Sequence, residues 1–148
     1  MADERDLNAE EREEIESLLP EAYRLAGLDP EAAPAAGAVV RAVNDLVGRL
    51  RAEDLDGERA SELALALGCL LGQQWCSEFG WEWRLVIEGE FEGYGVVPAD
   101  RRFVYFPMQD VYDLLVREAD ELNLLLLFNM TAADCLPADS GYAYVGLG

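Results

Sequence analysis

An α+β fold with a small antiparallel sheet is what this chain predicts, and three observations predict it. Before residue 80 apolar residues recur three and four apart, the spacing of helices. From Trp81 to Phe106 they fall in short β-like runs broken by Gly and by Ala99-Asp100, and after Pro107 helical spacing returns. The third observation is aromatic: residues 61–107 hold all three Trp, at 75, 81 and 83, followed by Tyr94, Phe103, Tyr105 and Phe106. That stretch marks the core, because burial stabilises roughly in proportion to apolar area. A length of 148 residues suits a single α+β domain over 1–148. The expected order is about three N-terminal helices, a three-stranded antiparallel meander, and one or two C-terminal helices, the helices packed on one sheet face.

In chain order, Asn8 with Glu11 three residues later forms a capping box that opens a first helix. Ile15, Leu18, Leu19, Ala22 and Ala26 make its apolar stripe. Pro20 predicts a kink or a division into two short helices, since it lacks an N–H and crowds the carbonyl of Glu16. Gly27 supplies a left-handed cap. Asp29-Pro30-Glu31 is a second start, followed by a loose run and a helical face of Val39, Val43, Leu46, Val47 and Leu50. Leu55-Asp56-Gly57 breaks that helix. A third runs from about Glu58 to Phe79, apolar around much of its circumference, with Gly68 and Gly72 on one face. Glycine inside a helix costs about 1 kcal/mol against Ala, so close approach of another backbone is expected there.

Gly80 ends that helix. The run 81–88 is a strand with Trp81, Trp83, Leu85 and Ile87 on one face; 89–93 is a turn; 94–98 and 102–107 are the second and third strands of the meander. Asp110 to Arg117 reads as a helix. The Leu-rich run 122–130 reads as helix rather than buried strand, because it is not β-branched. Tyr142-Ala-Tyr-Val adds a short edge strand or packs down.

Charge is the outlier. Thirty acids against eleven bases give a net −19, and every base is Arg. Such a field repels nucleic acid and anionic membranes and attracts a basic partner. It equally suits plain solubility or a saline cytoplasm. Residues 1–34 alone hold 11 acids and 3 Arg, although Glu10, Glu11, Glu13 and Glu14 also answer the dipole of the first helix. Cys69, Cys76 and Cys135 form no disulfide framework; the first two, seven apart on a helix, would have Cα atoms about 10.5 Å apart, too far to bridge. With no basic, apolar leader at the start and no run long enough to span a bilayer, a cytoplasmic protein is expected.

Chemistry is narrowed by absence. Without His there is no Ser-His or Cys-His nucleophile, and without Lys no Schiff base or phosphate-loop lysine. The Cys spacing fits no zinc site. Glu82, Glu88, Glu90 and Glu92 could pair for acid–base work or hold a divalent cation, or form a solvated acidic turn. Arg101-Arg102 could clamp an anion or pair with nearby acids. No cofactor and no metal site is expected.

The pattern Ala66-Leu-Gly-Cys-Leu-Leu-Gly-Gln-Gln-Trp, then Phe-Gly-Trp-Glu-Trp, then Tyr-Gly-Val-Val-Pro and Arg-Phe-Val-Tyr-Phe-Pro resembles uncharacterised families of small acidic bacterial proteins, over roughly residues 62–130. Some of these are suspected toxin-immunity proteins, and they lend no catalytic residue. The resemblance implies a non-enzymatic acidic binding protein, of the immunity or inhibitor type, acting on a basic protein partner. Two alternatives stand beside it: a carboxylate-based enzyme or binder of a metal or small ligand, and a structural domain adapted to a saline cytoplasm. The expected contact surface is the first turn, with Phe91 as an aromatic anchor among Glu88, Glu90, Glu92 and Tyr94.

Overall fold

Residues 3–116 and 122–134 are described by the structure, a computed structural model. Asn8 opens helix α1 (Ala9–Leu25) as the sequence predicts: its side chain accepts from the Glu11 N–H at 2.8 Å, and Glu11 Oε1 accepts from the Asn8 N–H at 2.9 Å. Pro20 does not divide α1, which runs through it as one helix. The far end closes as a Schellman motif, with Gly27 at φ 71° and the Leu28 N–H bonded to the Tyr23 carbonyl at 2.9 Å. A 3₁₀ turn (Pro30–Ala32) capped by Asp29 leads into α2 (Ala36–Leu50), which buries Val39, Val40, Val43 and Val47. Asp56 caps α3 (Gly57–Phe79) through the Arg59 N–H, and Gly80 at φ 71° ends it.

Helix α3 is the axis of the molecule; α1, α2 and α4 (Pro107–Leu115) all pack on it. Both of its paired glycines are closely approached, but only Gly68 by the backbone that was expected. A Cβ at Gly68 would lie 2.6 Å from Met108 Cα, so the start of α4 sits directly on α3. At Gly72 the neighbour is a side chain instead of a backbone: a Cβ there would lie 2.2 Å from the Trp83 ring. Trp75, fully buried, binds the far side together, its ring against Tyr105 (centroids 4.7 Å apart) and Phe128 (5.3 Å), and its N–H reaching Thr131 at 3.3 Å. The Leu-rich run is helix α5 (Leu124–Ala132), as expected, but it packs on α2.

The sheet is three-stranded and antiparallel, yet its strands are not the expected ones. A hairpin of β2 (Glu82–Glu88) and β3 (Phe91–Val97) is flanked on β2 by β1 (Asp3–Asp6), giving the order β1-β2-β3. The meander is therefore corrected at both ends: the third strand comes from the N-terminus, and 102–107 contributes a single bridge, Val96 to Tyr105. Pro107 explains the second change. It takes the first position of α4, where its missing N–H costs nothing, and so draws the segment off the ladder.

Both faces of the sheet are covered. Trp83, Leu85 and Ile87 face Ile15, Leu18 and Cys69 of α1 and α3, as their two-residue spacing requires. On the other face Val86, Val97 and Val104 form a small buried cluster with Phe106 against it. Beside that cluster lies an ion network. Glu4 of β1, its side chain only 11 % exposed, sits 2.9 Å from Arg84 of β2 and 2.9 Å from Arg101, while Arg84 also meets Asp6. Cys135 and the run 142–145 lie outside the described residues.

Candidate functional site

A two-residue turn, Gly89-Glu90, joins β2 to β3, with Glu88 paired to Phe91 and Gly89 at φ 62°. The turn is shorter than the sequence suggests, so Phe91 and Glu92 are strand residues rather than loop residues and share β3 with Tyr94, a strand residue as expected. Strand alternation then decides what each presents. Val96 exchanges two main-chain hydrogen bonds with Tyr105, at 2.9 and 3.0 Å, so its N–H and C=O point away from β2. The same parity recurs at Tyr94 and Glu92. Continuing the antiparallel pairing would set residue 107 opposite Tyr94, and residue 107 is the proline that begins α4. Among the described residues, the outward main-chain groups of Tyr94 and Glu92 have no ladder partner.

A groove of about 400 Å³ runs along this edge. One wall is aromatic: Phe91, 40 % exposed, stands edge-on to Phe106 with centroids 5.0 Å apart. Gly93 makes room for this, since a Cβ there would lie 2.9 Å from the Phe91 ring. The opposite wall is Leu65 of α3, Leu85 of β2 and Met108 of α4. A shallower continuation of about 330 Å³ follows Leu65, Met108 and Gln109 to Ser61 and Tyr112. Phe91 thus folds over the sheet and still exposes much of its ring.

The hairpin rim is acidic: Glu88, Glu90 and Glu92 are all exposed. Glu11 is committed elsewhere. Its carboxylate takes two hydrogen bonds from Arg5, at 2.8 and 2.9 Å, and with the Asn8 N–H this holds its pKa down at about 2. The Tyr94 hydroxyl lies 3.5 Å from Glu11, and burial first, then Glu11 and Glu14, raise its pKa. Arg5, which also feels the charge of Glu92, is already paired with Glu11.

Of the five predicted contact residues, Phe91, Glu92 and Tyr94 line the groove, and Glu88 and Glu90 flank its end at the hairpin. Leu65, Phe106, Met108 and Gln109 escaped notice because they lie on other elements. Glycines at 93 and 95 were the available hint, since small residues between aromatics on one strand face leave a trough. The other candidates disperse. Glu82 lies 3.9 Å from Arg101, and Arg102 pairs with Asp100 and Asp134, so both Arg are held by acids. Burial pushes the thiols of Cys69 and Cys76 up to about 12. Among the described residues no group of three or more His, Cys, Asp or Glu could hold a metal ion, and no helix is long and apolar enough to cross a membrane. A smaller cavity of about 150 Å³ lies between α1 and α3 beside Trp83, whose buried indole N–H has no hydrogen-bond partner among the described residues.

Set against protein-family models, curated proteins and solved structures, the chain finds no match in any of the three.

Proposed function

We propose that this chain is a non-enzymatic binding protein, of the immunity or inhibitor kind, and that the groove beside β3 takes a basic protein partner. One observation carries the proposal: an apolar trough with a half-exposed aromatic wall opens beneath a rim of exposed carboxylates. Apolar walls provide the desolvated contact on which affinity rests, and the acids steer a cationic partner toward it. The lining favours holding over reacting, because it combines one carboxylate, one phenol and one amide with hydrocarbon.

The test uses ten-residue peptides of matched hydropathy, carrying either four Arg or four Glu, titrated against the full chain. Basic peptides should bind, salt should slow their association, and Phe91→Ala should weaken them by about 2 kcal/mol, roughly thirtyfold. Equal binding of acidic and basic peptides would end the proposal.

A further inference from the structure

Resting on that reading, we infer how the partner is held: an extended basic segment of another protein adds to the sheet as a fourth strand, pairing with the main-chain groups of Tyr94 and Glu92. The sheet has already begun this pairing and stopped. Tyr105 makes two main-chain bonds to Val96, and then Pro107 leaves the edge for α4. The next outward groups along β3, those of Tyr94 and Glu92, have the right parity and no ladder partner among the described residues. An extended chain repeats its main-chain groups every second residue, which is the spacing between Glu92 and Tyr94.

The walls suit the same occupant. Successive side chains of a strand point to opposite faces. Here one face offers Phe91 and Phe106, and the other offers Leu65 and Met108. A strand laid between them would place alternate side chains on alternate walls, and a helix could not reach both while pairing with the edge. Charge selects among strands. A second copy of this chain carries −19 and would bring its own Glu88, Glu90 and Glu92 to the contact, so like charges would oppose it. A segment carrying Arg or Lys meets the opposite field.

The experiment compares a decapeptide alternating arginine and valine with two versions of it, one N-methylated at every arginine and one at every valine. Charge and side chains stay constant, while one set of N–H donors is lost in each. Strand addition predicts that at least one methylated version binds the native protein about tenfold or more weakly, and that the Glu92 and Tyr94 amides exchange more slowly when the parent peptide is bound. On the protein side, Glu92→Pro removes an outward N–H and should weaken the parent peptide about tenfold beyond Glu92→Gln, which loses only the charge. If both methylated peptides bind as well as the parent, strand addition is wrong and the acidic groove as a binding site survives. If no basic decapeptide binds better than its acidic counterpart, both fall. A free protein that sediments as a dimer, and as a monomer after Glu92→Pro, would assign the edge to a second copy and overturn the basic partner.

Discussion

The two edges of this sheet are built by opposite rules. Strand β1 is short and wholly charged, Asp-Glu-Arg-Asp, and three of its four charges are answered: Arg5 by Glu11, Glu4 by Arg84 and Arg101, and Asp6 by Arg84. Shortness and charge are how edges are kept from recruiting other strands. Strand β3 carries Gly93, Tyr94 and Gly95 toward its open end and is flanked by Phe91, Phe106 and Met108. Among the described residues it has no ion-pair guard beyond Tyr105. Among the described residues the same sheet thus closes one edge with ion pairs and leaves the other open between apolar walls, and a recruiting edge retained beside a guarded one is what a binding surface needs.

Changes that separate stability from edge chemistry sharpen the contrast. The largest effect belongs to Trp83→Ala, because this β2 ring fills the space over Gly72 and supports both edges at once. It should cost about 3 kcal/mol in chemical denaturation. Glu4→Gln comes next. It removes the shared partner of Arg84 and Arg101 at a site only 11 % exposed, and should cost about 1–3 kcal/mol, between the values of surface and buried pairs. A loss as small as that of an exposed pair would mean that β1 is held by its main chain alone.

The bridge at the β3 edge has its own control. The Tyr105 hydroxyl donates to Asp110 at 2.8 Å, and burial pushes the Asp110 carboxyl up to about 6. A carboxyl whose pKa is raised by folding favours the protonated state, so its contribution is complete below its ordinary value of 3.8 and is lost as pH rises through about 6. Melting temperature should therefore fall between pH 4 and 7 by more in the native protein than in Asp110→Asn, which still accepts from Tyr105. Glu11, whose pKa folding lowers to about 2, acts in the opposite sense; its contribution is present above its ordinary value of 4.5 and disappears only in stronger acid. Parallel curves for the two proteins would mean that Asp110 is ionised at little cost. The smallest effect on folding is expected at Phe91→Ala, below about 1 kcal/mol for a ring so exposed. A larger loss would make Phe91 a core residue and remove the anchor from the groove.

Where the sequence was legible, local chemistry decided the outcome. The Asn8–Glu11 capping box and the Gly27 and Gly80 caps each act within a turn or two, and each stands where expected. Strand β1 was not legible. Asp-Glu-Arg-Asp is depleted in strand-forming residues and lacks alternation, and what recruits it is Arg84, some eighty residues later. The third strand of the meander misled for the converse reason: 102–107 has strand composition, and Pro107 serves the helix. For the groove, sequence singled out Phe91, Glu92 and Tyr94 but placed the first two in a turn, and it could not supply Leu65 and Met108, which only the packing of α4 on Gly68 brings to the same place.

Amide hydrogen exchange along β3 in the free protein tests the central claim most directly, because it needs no partner. Val96 donates to Tyr105 and should be protected, whereas the Tyr94 and Glu92 amides, of the same parity on the same edge, should exchange at least about a hundredfold faster. Protection of Tyr94 and Glu92 equal to that of Val96 would show the edge already covered, and the account of an open strand awaiting a basic partner would be contradicted.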